Sequence, residues 1–180
     1  MKASAWLIVP AAVASAAVSA PAFAVQYLTV EQAQKILFPS ATRFVAADIT
    51  FTPALRQQVE QASKVRVRND VQPTWRVEAE GQTIGWFFLD EVIGKHEFIT
   101  YVVALTPEGA VKGLEILDYR ETHGSQVQHP KWRAQFVGKK AGAPLKLDED
   151  IQNISGATLS CKNLANGVKR LLATYQAALR

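Results

Sequence analysis

The sequence predicts an α+β fold: a single domain on a mostly antiparallel sheet, flanked by helices and closed by a long C-terminal helix. Three observations carry that prediction. Segments rich in β-branched and aromatic residues fill the middle of the chain from Trp75 to Tyr119, joined by connections too short for parallel crossovers. The longest helical periodicity lies at the end, where Leu164, Val168, Leu171, Leu172 and Tyr175 fall on one face. The composition, 48% hydrophobic and 20% charged over 180 residues, is that of one globular domain.

The first 24 residues stand apart from the fold. Lys2 supplies a positive start, Ala3 to Ala20 is apolar and uncharged, and Ala22-Phe23-Ala24 has the small-x-small pattern of a cleavage site. The segment reads as a signal peptide cleaved after Ala24. The competing reading is a retained anchor, against which stand Ser4, Pro10, Ser15 and Ser19 among weakly hydrophobic alanines. The protein is therefore expected to be exported, to the periplasm or the outer face of the cytoplasmic membrane.

The elements that follow have local causes. Thr29 and Gln32 have capping-box spacing for a short helix to about Leu37, ahead of Pro39. Thr52-Pro53 opens a second helix, ending near Ala62. Strands are expected over Val65–Arg68, Trp75–Glu80, Thr83–Val92, Phe98–Leu105 and Val111–Tyr119. Thr106-Pro107-Glu108-Gly109 supplies the turn of the last hairpin. Polar loop begins at Arg120, His129-Pro130 opens a short helix through Phe136, and the long helix starts near Ser155.

Composition excludes several chemistries. A single Cys rules out an internal disulfide framework and any multi-thiolate cluster. The lysines and arginines near residues 64–68 and 131–140 are interrupted by acids and read as solvated surface, so no nucleic-acid partner is expected. His96, His123 and His129 have no metal-site spacing, with Glu97 or Glu121 as further ligands or without them. Cys161, near a helix start, reads either as a nucleophile or as a small core residue, and the core reading is favoured.

The most informative stretch is Ile154-Ser155-Gly156-Ala157-Thr158-Leu159-Ser160, which places hydroxyls and a glycine at a helix start. Unpaired amides and the positive end of the helix dipole collect there and favour a phosphate. The plainer reading is an ordinary cap, with Ser155 or Thr158 bonding a nearby amide, and physics alone favours the cap.

The S-G-A-T sequence at 155–158 resembles the flavinylation motif of the covalent-FMN-binding domain family. That family includes extracytoplasmic flavoprotein subunits of Rnf-type complexes and of sodium-pumping NADH:quinone reductases. The resemblance runs from about Trp75 to Leu172, through Glu121-Thr122-His123-Gly124 and Trp132 to Lys139. It implies FMN joined by a phosphoester to Thr158, with Ser155, Gly156, Ala157, Leu159 and Ser160 completing the motif. It further implies that Glu121, Thr122, His123 and Gly124 form a loop at the flavin, with Thr122 hydrogen-bonding the ring system and Trp132 either covering one ring face or anchoring a helix. The partners implied are a flavin transferase as modifying enzyme and a membrane-bound or soluble redox partner.

Two departures from the family pattern stand out. Gln152 occupies the place of an Asp three residues before the motif serine, with Asp150 the nearest acid, and His123 replaces a proline. The chain then divides into a signal peptide (1–24), an N-terminal helical segment (25–72) and an FMN-binding domain (73–180). The expected function is exported electron transfer by a carrier rather than a complete enzyme. The alternatives are a non-redox module binding an anionic ligand at the helix start near Ser155, and a small flavin reductase using Cys161 or His123.

Overall fold

The computed structural model describes residues 28–180; the segment read as a signal peptide lies outside the described residues. Thr29 opens helix α1 (Val30–Leu37) with the expected capping box. Its Oγ1 accepts from the Gln32 amide at 3.2 Å, and Gln32 Oε1 accepts from the Thr29 amide at 2.8 Å. Strands β1 (Arg43–Ala46) and β2 (Ile49–Thr50) follow. Thr52 caps helix α2 (Pro53–Ser63), accepting from the Leu55 amide, with Pro53 at its first position. Then come β3 (Val71–Gln72), β4 (Thr74–Ala79), β5 (Gln82–Ile93), β6 (Phe98–Leu105) and β7 (Val111–Tyr119). Helix α3 (Pro130–Arg133) sits between two single turns, and the long α4 (Thr158–Ala178) ends the chain.

The main sheet has the order β1-β4-β5-β6-β7, with every neighbouring pair antiparallel; β2 and β3 pair separately. The sequence reading missed β1, a short strand with no run of apolar alternation, and so the stretch expected to be helical also supplies a sheet edge. A second correction concerns Val65–Arg68, which is not a strand. Its backbone is held by α2 side chains. Glu60 Oε1 accepts from the Val67 amide at 2.8 Å, and Arg56 donates to the carbonyls of Val67 and Asn69. Alternating Val and Arg satisfied a strand pattern, but the partners that turned up were side chains.

The sheet is covered on both faces. Tyr101, Val103 and Leu105 of β6 point to the side on which α4 packs, with Leu164, Val168, Leu171, Leu172 and Tyr175 in the same core. Val102 and Ala104 point the other way, into a core with Ala33 and Leu37 of α1. Burial on both faces is why β6 reads as a continuous apolar run. Each of the large apolar side chains of the α4 stripe contributes about 1.5–3 kcal/mol by leaving water.

One buried polar network crosses this core. Asp90 of β5 receives a hydrogen bond from Arg170 of α4 at 2.6 Å and another from the Tyr101 hydroxyl. The Asp90 side chain is 1% exposed and that of Arg170 is 12% exposed. Burial, and next the Asp90 charge, push the Tyr101 phenol well above its usual range. Truncating Arg170 to Ala leaves a buried carboxylate without its counter-charge and is expected to destabilise the fold by about 3–5 kcal/mol. Urea unfolding of the variant measures this; a change within 0.5 kcal/mol, roughly a surface effect, would mean that the pair is not buried in solution.

Candidate functional site

The segment after β7 is tied down at both ends. Glu121 Oε1 accepts three backbone amides from the β5–β6 turn: Lys95, His96 at 2.6 Å and Glu97 at 3.0 Å. At the other end the Tyr119 hydroxyl donates to the His123 carbonyl. Between them Thr122 and His123 are exposed and bond each other, Oγ1 to Nδ1, at 2.9 Å. Burial alone raises the Glu121 carboxyl, but the amides of Glu97, His96 and Lys95 outweigh it and hold the group below its usual 4.5.

That depression has a pH consequence. A carboxylate whose pKa falls on folding adds stability above its unfolded value and loses it as pH drops through the folded one. The β5–β6 turn should therefore loosen below about pH 4.5. Amide exchange at Lys95, His96 and Glu97, followed from pH 6 to about pH 3, should show protection falling over that range. Protection independent of pH would contradict the role given to Glu121.

Gly124 brings this loop against the motif. It has φ 85°, and a Cβ there would meet the Ala157 Cβ at 2.3 Å and the Tyr119 hydroxyl at 2.8 Å. Only glycine permits both the backbone conformation and the close approach. The E-T-H-G and S-G-A-T segments, thirty-odd residues apart in sequence, are thus packed face to face.

The motif itself departs from the expected start of the long helix. Ser155 and Gly156 form a turn closed by the Ala157 amide donating to the Ile154 carbonyl at 2.9 Å, and α4 begins three residues later than expected, at Thr158. Gly156 has φ 80° with open space where a Cβ would be. The reading as an ordinary cap is overturned: the N-cap is Ala157, and no side chain caps the helix. Within α4 the first amide to find its i−4 acceptor is that of Cys161, on the Ala157 carbonyl, so the amides of Thr158, Leu159 and Ser160 have no intrahelical acceptor. Thr158 and Leu159 are exposed, whereas Ala157 and Ser160 are buried, so what Ser160 can present is its backbone.

The remaining candidates support the motif from below. Trp132 is 4% exposed; its indole N–H donates to the Gln152 carbonyl at 2.8 Å and its ring packs edge-on against Phe136. Gln135 Oε1 accepts from the Gln152 amide at 2.7 Å. Trp132 therefore sits where the anchoring reading puts it, fixing the strand of chain that leads into the motif. The Gln152 side chain is exposed. Asp150 is not free to replace the missing acid, because its carboxylate holds Lys139 and the amides of Leu145 and Lys146. Cys161 is fully buried and burial pushes its thiol up, which fits the core reading. Among the described residues no three His, Cys, Asp or Glu side chains gather at metal distance.

Sequence reasoning missed two features. Lys162 is exposed and lies four residues beyond Thr158, on the same helix face, a spacing that was there to be read. Unspent hydrogen-bonding capacity also remains next to the two segments in sequence: Asn153 Oδ1, just before the motif, and Gln128 Nε2, just after the E-T-H-G loop, are buried without partners among the described residues. An uncapped helix start, an exposed threonine oxygen, a nearby lysine and unpaired amide groups suit a phosphate-bearing ligand with further polar groups. That is a fit to FMN.

Parts of the chain are similar to known proteins. The chain is 30% identical over 122 residues to a component of the proton-translocating ferredoxin:NAD(+) oxidoreductase complex of Clostridium ljungdahlii, covering 64% of this chain and 66% of that one. It is 34% identical over 85 residues to a component of the Na(+)-translocating NADH-quinone reductase of Vibrio vulnificus, covering 38% and 32%. It thus spans about two thirds of the first relative and about a third of the second. The crystal structure of Shewanella oneidensis NqrC aligns with a TM-score of 0.49 at 17% identity, over 83% of this chain and 75% of that one. Residues 94–173 match the family model described as an FMN-binding domain, a span that takes in Gly94, Glu121, Gly124, Trp132 and Thr158. Residues 94–173 are thus the part of the chain that matches the FMN-binding domain family.

Proposed function

We propose that this protein is an exported electron carrier with FMN attached through a phosphoester to the Thr158 Oγ. The observation that carries this reading is the bare start of α4, where an exposed threonine sits among amides that no side chain caps. A phosphodiester keeps one negative charge, and the open amides of Thr158, Leu159 and Ser160 would stabilise it by about 0.3–1 kcal/mol, more where partly buried. Lys162 adds a positive charge on the same face. Gly124 and Glu121 hold the E-T-H-G loop against the motif, which supports Thr122 and His123 as neighbours of the ligand.

Bound FMN supplies one- and two-electron transfer, and the chain's part is to hold it and set its surroundings. The relatives are named as components of redox complexes, which supports a membrane-bound or soluble redox partner for this chain. Attachment requires a flavin transferase. With the Asp of the family pattern replaced by the exposed Gln152, and Asp150 engaged elsewhere, recognition by that enzyme would rest on the rest of the motif.

The experiment is direct. Protein purified from cells with an active transferase is denatured in detergent and run on a gel under ultraviolet light. Flavin fluorescence that migrates with the chain supports the proposal. A dark band from a chain that nonetheless binds phosphate esters would point to a non-redox module at the same helix start.

A further inference from the structure

Beside this site, and distinct from it, the fold contains a cleft of about 340 Å³ between α4, the far end of β5 and the 65–69 segment. The volume lies in the range that holds small organic ligands. One wall, Val65 to Asn69, comes from outside the span that matches the family.

The floor carries a prepared anion-binding group. Arg170 lines the cleft and spends one nitrogen, Nη2, on buried Asp90. Its Nε and Nη1 have no acceptor among the described residues, and neither is sealed from solvent. A guanidinium clamped on one edge by a buried carboxylate and open on the other is positioned for a second carboxylate, sulfonate or phosphate. Arg66 and Arg68, both exposed, face the same cleft from the opposite wall. Glu91, the remaining acid there, leaves the lining with an excess of one positive charge once Asp90 is set against Arg170.

Apart from the amide side chains of Asn69, Gln72, Asn163 and Asn166, the rest of the lining is apolar. Val67 and Val92 are buried in it, while Ile93 and Phe98, paired across β5 and β6, are 39% and 53% exposed at its edge. Large apolar side chains left in water around a concave surface mark a contact surface. Asn163 ties this edge to α4 by donating to the Ile93 carbonyl at 2.8 Å.

We infer that this cleft binds a small organic anion with an apolar, ring-sized body, its acid group against Arg170 and its body against Ile93, Phe98 and the valines. The site does not require flavin. Asn163 at its near end is five residues, about 7.5 Å of helix rise, from Thr158, so the ligand would lie next to the cofactor without replacing it.

The test uses the full chain in two forms, flavin-carrying and Thr158→Val. The probes are anilinonaphthalene sulfonate, an apolar ring system with one anion, and uncharged N-phenylnaphthylamine. Saturable one-to-one binding of the sulfonate is expected in both forms, with amide shift changes confined to Phe51 and residues 65–72, 90–98 and 163–170. It should exceed binding of the neutral probe by on the order of tenfold. Arg68→Glu, at an exposed position that leaves the fold intact, should weaken only the anionic probe, by several-fold; Arg170→Gln should weaken it further. Equal binding of the two probes, indifference to Arg68→Glu, or shift changes elsewhere would overturn the inference. Binding to the Thr158→Val form but not to the flavin-carrying form would also overturn it, because the flavin ring would then own the cleft. The flavin content of each form is read by absorbance before titration, so failure of the attachment reading shows as flavin in the Thr158→Val form and is told apart from failure of the cleft to bind the anion.

Discussion

Thr158→Val is expected to abolish flavin attachment completely while leaving the domain folded. Valine keeps the shape and removes the only oxygen that can join a phosphate there. The structural cost is small, because the Thr158 hydroxyl caps nothing and the residue is exposed. Surface changes of that kind stay within about 0.5 kcal/mol. The check is absorbance near the flavin bands in denatured protein, together with thermal unfolding. Loss of colour with an unchanged melting temperature is the predicted pair. Persistent covalent flavin would move the attachment to another hydroxyl, and a collapsed fold would mean that Thr158 serves structure.

Gly124→Ala should instead damage both fold and site. The added methyl would lie 2.3 Å from the Ala157 Cβ at a backbone φ of 85°. Overpacking costs about 1–3 kcal/mol, and a left-handed alanine about 1 more. A loss of about 2–4 kcal/mol corresponds to a fall in melting temperature of roughly 5–15 °C for a domain of this size. The same displacement pushes the E-T-H-G loop away from the turn before α4, so the fraction of chain carrying flavin should drop even below the melting temperature. Gly156→Ala is the useful contrast: its methyl meets nothing, so only the strain at φ 80° remains. If the two variants lose equal stability, the packing of Gly124 on Ala157 is not what joins the two segments.

Much of this architecture was legible because its causes are local. The capping box at Thr29, the Thr52-Pro53 start, the hairpin of β6 and β7 and the α4 stripe each follow from residues within one or two turns of each other. The errors fall where the cause is distant. Val65–Arg68 had the alternation of a strand, yet Arg56 and Glu60 reached it first. Ser155 looked like a helix cap, yet the chain turns at Gly156 and starts the helix on Thr158.

The site shows the same division. The resemblance of S-G-A-T and E-T-H-G to a flavin-binding family singled out two segments, and the fold brings those two together. Their contact through Gly124 and Ala157, and the grip of Glu121 on three amides from the β5–β6 turn, depend on tertiary packing that no spacing in the sequence encodes. The partnership of Asp90, Tyr101 and Arg170 was invisible for the same reason: its members come from two strands and a helix.

The central claim is that Thr158 carries FMN in an exported chain, and its most direct test is the intact mass of the protein recovered from its native compartment, followed by peptide mapping. The account predicts a chain beginning at Val25, heavier by one FMN less one water, with the added mass on the peptide containing Ser155 to Ser160. An unmodified mass from cells whose transferase flavinylates other proteins would contradict it.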